Sequence, residues 1–224
     1  MIKGIDVSVY QDSPATHSDD IDWAKVKAAG YEFVYARADA GASYNDPQSS
    51  EFYDKAKAAG FLAGFYHYAR PSRGVDVVLD ATREADHFLR RIGDRIAPDD
   101  LPPVLDLEES EIDGCALEAW AWRFGDRIRA VTGRKPGLYT NPSYLKSLKS
   151  RNTLRDVFRS DWWLWIAHWG VTSPGTLEPW PLGEWRLWQT SASKPGGVPG
   201  IQYACDLDVF NGSREELEAW IAET

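Results

Sequence analysis

Residues 33–69 read FVYARADAGASYNDPQSSEFYDKAKAAGFLAGFYHYA, and this stretch contains the strand–helix–strand pattern on which the fold class depends. Phe33–Asp39 and Phe61–Ala69 are short runs rich in apolar residues, and each predicts a buried strand. Ser49–Ala59 lies between them and predicts a helix, which ends at Gly60. A strand, a helix and a second strand in this order indicate an α/β fold.

The same pattern extends through most of the chain and changes near its end. Further strands are predicted at Lys3–Val9, Leu101–Glu108, Gly137–Asn141, Trp163–Trp169, Trp185–Ser191 and Cys205–Phe210, and further helices at Asp22–Ala29, Val75–Ile96, Ala116–Val131, Pro142–Lys149 and Ser213–Glu223. Five strand–helix units followed by three strands predict an eight-stranded α/β barrel, closed or nearly closed, as in TIM barrels. No glycine-rich phosphate loop follows the first strand, which disfavours a dinucleotide-binding sheet. Since no linker or repeat divides the chain, residues 1–224 are expected to form a single domain.

The composition excludes several classes of protein. The 224 residues include 25 Lys and Arg against 34 Asp and Glu, and the resulting net charge of −9 disfavours non-specific binding to nucleic acids and to anionic membranes. No apolar run reaches the ~18 residues that a membrane-spanning helix needs. Cys115 and Cys205 are expected to be buried, reduced thiols. The histidines lack the spacing of a zinc site, so no metal is expected.

The N-terminal residues MIKGIDVSVYQ do not match a secretory signal. Only one cation precedes the apolar residues, and no apolar core of about 7–15 residues follows it. We therefore expect a protein that works inside the cell, leaves it by another route, or has lost a leader.

Two carboxylates share one strand end in PVLDLEES, residues 103–110. Side chains alternate along a strand, so Asp106 and Glu108 point to one side and Leu107 to the other. The working residues of an α/β barrel lie at the carboxyl ends of its strands, and Leu107 suits the helix-facing side, so we expect both acids at the barrel mouth. Two like charges there raise the pKa of one acid and keep it protonated near neutral pH. Such pairs serve glycoside hydrolysis, although acids at a strand end also cap the next helix.

Other acids lie within or at the ends of predicted strands, where a carboxylate is costly to bury without a partner or a function. They are Asp6, Asp39, Asp206 and Asp208. Asp6 lies between two apolar residues of the first strand. It is either a buried acid that accepts backbone hydrogen bonds or an acid at the mouth that faces Glu108.

Tryptophan is frequent, with 11 residues in the chain and seven of them within residues 162–188. Indole rings stack on sugar rings, although most single tryptophans of a barrel belong to its core. Tyr66 and Tyr139 lie near the carboxyl ends of predicted strands, where they are candidates for lining a cleft. His67 lies on the face opposite Tyr66, and a hydrogen-bonded structural role is expected for it rather than that of a general base.

Taken in order, these segments resemble glycoside hydrolase family 25, the N-acetylmuramidases or lysozymes of the phage-endolysin and fungal type. The segments that carry the resemblance are GIDVSVYQ, DWAKVKAAGYEFVYARADAGASYNDP, AKAAGFLAGFYHYA, PPVLDLE, GLYTN, LWIAHW, LWQTS and DLDVF, and they cover essentially the whole chain. The resemblance implies a flattened α/β barrel of eight strands and about five helices. It also implies hydrolysis of the β-1,4 bond between N-acetylmuramic acid and N-acetylglucosamine in bacterial peptidoglycan, with no cofactor.

The resemblance also implies roles for individual acids. Glu108 matches the general acid of the family's D-x-E motif, and Asp106 matches its carboxylate partner. Asp6 matches the aspartate of the first strand, and Asp206 matches the aspartate that opens the last motif.

The substrate-binding residues that we expect are Arg37, Tyr44, Tyr66, Tyr139 and Trp188. Arg37 stands in a segment that a lysine commonly leads in the family. Since arginine keeps the charge but changes the geometry, the fine contacts with the substrate are expected to differ.

Two routes remain open for the step that follows proton donation by Glu108. In the first, the 2-acetamido oxygen of the substrate attacks the anomeric carbon while Asp106 orients or stabilises it. In the second, Asp6 or Asp206 is the nucleophile or activates water. Because Asp106 and Glu108 share a strand and a face, we favour the first route, which retains the anomeric configuration.

Two alternative functions are a non-catalytic glycan-binding barrel and a hydrolase of another amino-sugar polymer such as chitin. The presence of all four acids disfavours the first, and the lack of a zinc constellation or a Cys/His pair disfavours a peptidoglycan amidase or peptidase. The expected partner is the glycan strand of peptidoglycan, with no obligate protein partner and a monomeric state. A phage enzyme is expected in the host cytoplasm before its release to the cell wall, and a bacterial one outside the cell.

Overall fold

The computed structural model describes residues 1–13, 21–149, 162–175, 180, 181 and 183–224. The strands are β1 (Ile2–Val7), β2 (Tyr31–Ala40), β3 (Tyr44–Asn45), β4 (Leu62–Tyr68), β5 (Val104–Asp106), β6 (Gly137–Thr140), β7 (Trp163–Ala167), β8 (Trp185–Ala192) and β9 (Asp206–Phe210). The α-helices in these ranges are α1 (Trp23–Ala28), α2 (Ser49–Ala58), α3 (Val77–Ile92), α4 (Gly114–Thr132), α5 (Pro142–Lys149) and α6 (Arg214–Glu223), one more than the resemblance implies. Among the described residues, no helix combines the length and the apolarity needed to cross a membrane.

Eight strands form a closed barrel, as predicted. Its order is β1, β2, β4, β5, β6, β7, β8 and β9, and β9 pairs back with β1. The first seven of these strands run parallel, whereas β9 runs antiparallel to both of its neighbours. The amino end of β9 therefore lies at the same end of the barrel as the carboxyl ends of the other seven strands. The two-residue β3 pairs only with β2, outside the closed ring.

Two predicted elements are shorter than their patterns suggest. Strand β5, predicted at Leu101–Glu108, covers only Val104–Asp106, because the prolines at 102 and 103 have no backbone N–H to donate to a neighbouring strand. Helix α3 begins after Asp76, whose side chain accepts a hydrogen bond from the backbone N–H of Leu79 at 2.9 Å. It ends at Gly93, whose positive φ of 55° lies in the region that favours glycine.

The core has two layers, one inside the barrel and one between the barrel and its helices. The inner layer is rich in aromatic residues, and helix α6 closes the end of the barrel opposite the carboxyl ends of the parallel strands. There the Trp220 ring packs edge-on against Trp163, at 4.9 Å between centroids, and lies 5.7 Å from Phe210. Helix α6 therefore covers this end of the barrel.

Candidate active site

A cavity of about 190 Å³ opens at the barrel end where the parallel strands finish. It is lined by Asp6, Ser8, Tyr10, Gln11, Arg37, Tyr66, Tyr68, Asp106, Glu108, Tyr139, Trp165, Gln189 and Asp206. The structure thus brings together the four acids that the sequence analysis assigned to catalysis.

Asp106 and Glu108 reach the cavity from the same side of the chain, as their spacing predicts. Asp106 is the last residue of β5, and Leu107 is buried on the opposite side, between the barrel and its helices. Asp106 is only 5% exposed, and its Oδ1 has no hydrogen-bond partner among the described residues. Glu108 is half-buried, and its Oε2 accepts a hydrogen bond from Nδ2 of Asn141 at 3.2 Å.

The same surroundings raise the pKa of both acids. Burial raises the pKa of Asp106 well above its ordinary value, and the charges of Glu108 and Asp6 raise it further. Burial also raises the pKa of Glu108, while the hydrogen bond from Asn141 opposes this rise by favouring the carboxylate. Both acids are therefore better able to hold a proton than free carboxyl groups.

Asp6 and Asp206 form a second pair of acids on the other side of the cavity. They lie directly opposite each other in the antiparallel pairing of β1 with β9. Burial and the charge of Asp206 raise the pKa of Asp6 to about 7. Burial and the charge of Glu108 raise the pKa of Asp206 to about 6. This pair therefore also titrates nearer to neutral pH than ordinary aspartates do.

Asp208 lies beside this pair, and no role was predicted for it from the sequence. It is 2% exposed, and its Oδ1 accepts a hydrogen bond from Nε1 of Trp165 at 2.9 Å. Burial and the charge of Asp6 raise the pKa of Asp208 well above its ordinary value, and the two carboxyl groups share a hydrogen bond. Asp208 is therefore better able to hold a proton than an ordinary aspartate. Its spacing of two residues from Asp206 is the signal that places it on the same face.

Gln189 is a second residue that the sequence analysis missed. Its Nε2 donates to Oδ2 of Asp6 at 2.8 Å. Its Oε1 accepts hydrogen bonds from the hydroxyl of Tyr139 and from Nε1 of Trp169, both at 3.0 Å. The side chain of Gln189 is thus fixed from three directions and orients Asp6.

Three of the predicted substrate-binding residues line the cavity: Arg37, Tyr66 and Tyr139. Arg37 donates from Nε to Oδ2 of Asp46 at 3.0 Å, and its guanidinium lies 5.2 Å from the ring centroid of Tyr10 and 5.5 Å from that of Tyr44. Tyr44 is itself 40% exposed and does not line the cavity, but it supports Arg37 from outside.

The prediction that Trp188 contributes to the cleft is wrong. Trp188 lies in the layer between the barrel and its helices, where its Nε1 donates to the carbonyl oxygen of His168 at 2.9 Å. The residues on either side of it, Leu187 and Gln189, point into the barrel instead. The indole that lines the cavity is that of Trp165, on the inner face of β7.

His67 has the structural position that was expected for it. It is fully buried behind the cavity, with Nδ1 at 2.7 Å from Oδ1 of Asp39 and Nε2 at 2.8 Å from Oε2 of Glu84. These two acids raise its pKa to about 9, although burial opposes the rise. Asp39 therefore belongs to this buried ion cluster and not to the mouth of the barrel.

A cleft that combines paired carboxyl groups of raised pKa with aromatic walls, at the mouth of an α/β barrel, is typical of a glycoside hydrolase. Residues 5–200 match the family model described as glycosyl hydrolases family 25. The chain belongs to this family and is a glycoside hydrolase.

Individual relatives resemble the chain along nearly all of its length. It is 34% identical over 227 residues to lysozyme M1 of Streptomyces globisporus, with 97% of this chain and 70% of the relative covered. It is 33% identical to the N,O-diacetylmuramidase of a Chalaropsis species, with 97% of each chain covered. Among solved structures, the bacterial lysozyme of Streptomyces coelicolor superposes with a TM-score of 0.84 at 32% identity, covering 100% of this chain and 98% of the other.

Proposed function

We propose that this protein is a lysozyme that hydrolyses the β-1,4 bond between N-acetylmuramic acid and N-acetylglucosamine in bacterial peptidoglycan, with Glu108 as the general acid and with retention of the anomeric configuration. The observation that carries the proposal is the placement of the buried Asp106 beside the half-buried Glu108 in the same cavity. The similarity to lysozymes and to a diacetylmuramidase supports the choice of substrate.

Glu108 is the proposed acid because it is half-buried and faces the open cavity. Burial raises its pKa, so a larger fraction of the side chain is protonated near neutral pH than for a free glutamate. In the proposed first step, Glu108 gives this proton to the glycosidic oxygen as the bond to the anomeric carbon breaks. It then serves as the base that activates water in the second step.

Asp106 is proposed to act on the 2-acetamido group of the substrate. Its carboxyl group lines the cavity and is proposed to accept the N–H of this group, whose carbonyl oxygen then attacks the anomeric carbon. This hydrogen bond favours the ionised form of Asp106. The charge of Glu108 raises the pKa of Asp106. Because repulsion between two like charges is mutual, ionisation of Asp106 favours a proton on Glu108, where the first step requires it.

Asp6 and Asp206 are proposed to stabilise the positive charge that develops on the sugar. They lie in the same cavity, and Asp6 is oriented by Gln189 and Asp208. A carboxylate fixed by hydrogen bonds needs little reorganisation when charge develops, which is the requirement for electrostatic stabilisation of a transition state.

The proposal is tested by digesting purified peptidoglycan with the wild-type protein and with Glu108→Gln. The products are reduced with borohydride, and the new ends are identified by mass spectrometry. Reduced muramic acid ends that appear only with the wild type are the expected result. Reduced glucosamine ends would show that another bond is cut, and a folded protein that sediments with the wall without releasing ends would contradict the proposal.

Two further measurements separate the alternatives. Digestion of chitin under the same conditions distinguishes a muramidase from a hydrolase of another amino-sugar polymer, which would release chitin fragments. NMR of the first products distinguishes the routes, because acetamido assistance yields the retained anomer. Inverted anomers among the first products would exclude this route.

A further inference from the structure

A second cleft, of about 310 Å³, lies beside the catalytic cavity at the same end of the barrel. We call it the side cleft, and it is lined by Arg70, Pro71, Ser72, Glu109, Ser110 and Glu111. These residues belong to the loops that follow β4 and β5. None of these residues has a role in the proposed mechanism.

Tyr68 lies between the catalytic cavity and Arg70 of the side cleft. Its side chain lines the catalytic cavity, and burial together with the charge of Glu109 in the side cleft raises the pKa of its hydroxyl to about 12. The guanidinium of Arg70 lies on the same ring, 5.8 Å from its centroid. A group attached to a sugar that is bound in the catalytic cavity can therefore extend over the ring of Tyr68 and contact Arg70.

The guanidinium of Arg70 is available to a ligand. It makes no ion pair with any acid in the described part of the chain, whereas the guanidinium of Arg37 is paired with Asp46. Its side chain also rests on the backbone of Gly41, where a Cβ would come within 3.4 Å of its Cδ. Contact with Gly41 and Tyr68 limits the orientations of the side chain, so less conformational entropy is lost when it binds an anion.

The floor of the side cleft is held by hydrogen bonds between the two loops. The backbone N–H of Arg73 donates to Oε2 of Glu111 at 2.9 Å, and its Nε donates to the carbonyl oxygen of Glu111 at 3.2 Å. The backbone N–H of Glu111 donates to the carbonyl oxygen of Pro71 at 3.0 Å. The loops therefore hold a guanidinium and carboxylates in one preformed polar cleft, which suits a ligand that carries both signs of charge.

We propose that the side cleft binds the peptide that is linked to the lactyl group of muramic acid, with Arg70 binding a carboxylate of that peptide. This proposal rests on the proposed function, because only a substrate with muramic acid brings such a peptide to the cavity. A guanidinium recognises a carboxylate through two parallel hydrogen bonds, which is why arginine suits this position. Glu109 and Glu111 then lie where they attract an amino group of the same peptide.

The kinetic test compares native peptidoglycan with the same material whose peptide carboxylates have been converted to amides. Wild-type protein is expected to have a kcat/KM on the native wall that is about tenfold or more above that on the amidated wall, the range of a hydrogen bond to a charged group. Arg70→Gln is expected to remove this preference and to cut both walls at the rate of wild type on the amidated wall. Arg83→Gln, at an exposed position on α3 outside both clefts, is the matched control and is expected to keep the preference.

A preference that persists in Arg70→Gln, or an equal loss on both walls, would overturn the proposal, and so would a wild type without preference. Cleavage of the amidated wall at muramic acid by the wild type still supports the proposed function in each of these cases. The experiment therefore distinguishes a failure of the side-cleft proposal from a failure of the proposed function.

A binding measurement decides the question even if no wall is cut. The probes are the disaccharide N-acetylglucosaminyl-N-acetylmuramic acid coupled to L-alanine amide, which is neutral, and the same disaccharide coupled to L-alanyl-D-glutamate. The second probe is expected to bind wild type about tenfold more tightly than the first, and Arg70→Gln equally weakly to both. Equal affinity of the wild type for the two probes would contradict the proposal.

Discussion

Asp6 lies directly opposite Asp206 in the antiparallel pairing of β1 with β9, and both carboxyl groups face the catalytic cavity. The pairing joins residues 200 positions apart in the sequence, so that the charge of Asp206 acts on Asp6 from the neighbouring strand. Burial and the charge of Asp206 raise the pKa of Asp6 to about 7, while burial and the charge of Glu108 raise that of Asp206 to about 6.

Asp206→Asn is therefore expected to lower the pKa of Asp6 below 7, since it removes the charge that adds to the effect of burial. The measurement is an NMR titration of the Asp6 carboxyl carbon in both proteins. Asp54→Asn, on the exposed side of α2, is the control and is expected to leave the Asp6 titration unchanged. A pKa of Asp6 that stays at the wild-type value in Asp206→Asn would show that the two charges do not interact.

Glu108→Gln is expected to reduce kcat by about 10²–10⁴-fold without changing the fold, because an amide has no proton to give to the glycosidic oxygen. The rate of release of reducing ends measures the first effect, and thermal unfolding measures the second. Glu51→Gln, on the exposed side of α2, is the matched control and is expected to have wild-type kcat. Near wild-type turnover in Glu108→Gln would transfer the role of acid to another residue.

Asn141→Ser is expected to move the alkaline limb of the pH–activity profile to higher pH. The general acid is active when protonated, so activity is lost as the pH rises through its pKa. Nδ2 of Asn141 donates to Glu108 and lowers that pKa, and serine is expected to be too short to replace this donor, so the pKa rises in the variant.

Serine is chosen at this position because Oδ1 of Asn141 also caps α5, accepting a hydrogen bond from the backbone N–H of Tyr144 at 2.9 Å. A serine hydroxyl is a good substitute in this role, so the helix is expected to keep its stability. The kcat/KM of wild type and variant is measured across the pH range, with thermal unfolding as the check on folding. A limb that does not move, or that moves to lower pH, would contradict the assignment of Glu108 as the acid.

His67 is expected to make the stability of the fold depend on pH above neutrality. Its pKa is about 9 in the folded protein against an ordinary value of 6.5. The raised pKa stabilises the folded protein. This stabilisation is fully present below pH 6.5 and is lost as the pH rises through 9. A difference of this size corresponds to a total loss of about 3 kcal/mol in the free energy of unfolding.

The measurement is urea unfolding of wild type and His67→Gln at pH 6.5 and at pH 9. The variant is expected to be less stable than wild type at both pH values, because Asp39 and Glu84 lose their buried cation. Its free energy of unfolding is expected to fall less than that of wild type between pH 6.5 and pH 9. His168→Gln, whose ring lies outside this buried cluster, is the control and is expected to keep the wild-type slope. Equal slopes in wild type and His67→Gln would show that His67 does not change its charge over this interval.

Local sequence patterns were sufficient where a property depends on neighbouring residues. Alternation along one strand placed Asp106 and Glu108 on one side and Leu107 on the other, and the structure agrees. The same rule placed His67 opposite Tyr66. The order of strands and helices predicted an eight-stranded barrel, because each apolar run must bury itself against the next.

Trp188 shows where such patterns are insufficient. Alternation states which residues share a face, but both faces of a barrel strand are buried, so apolar character does not distinguish the inner face from the outer one. In β8 the inner face carries Leu187 and Gln189, and Trp188 lies outside. The role of Gln189 depends on contacts with Tyr139, Trp169 and Asp6, which come from three distant segments.

The sequence by itself determined the class of fold, the carboxylate pair at the end of β5 and the family, since these follow from local periodicity and from the order of short motifs. Only the tertiary structure decided that β9 runs antiparallel, which brings Asp206 to Asp6 and buries Asp208 beside them. It also decided that Arg70 faces a second cleft across Tyr68. The physical reason is that a pKa and a binding site depend on burial and on charges close in space, and the closing of a barrel brings such groups together from distant parts of the chain.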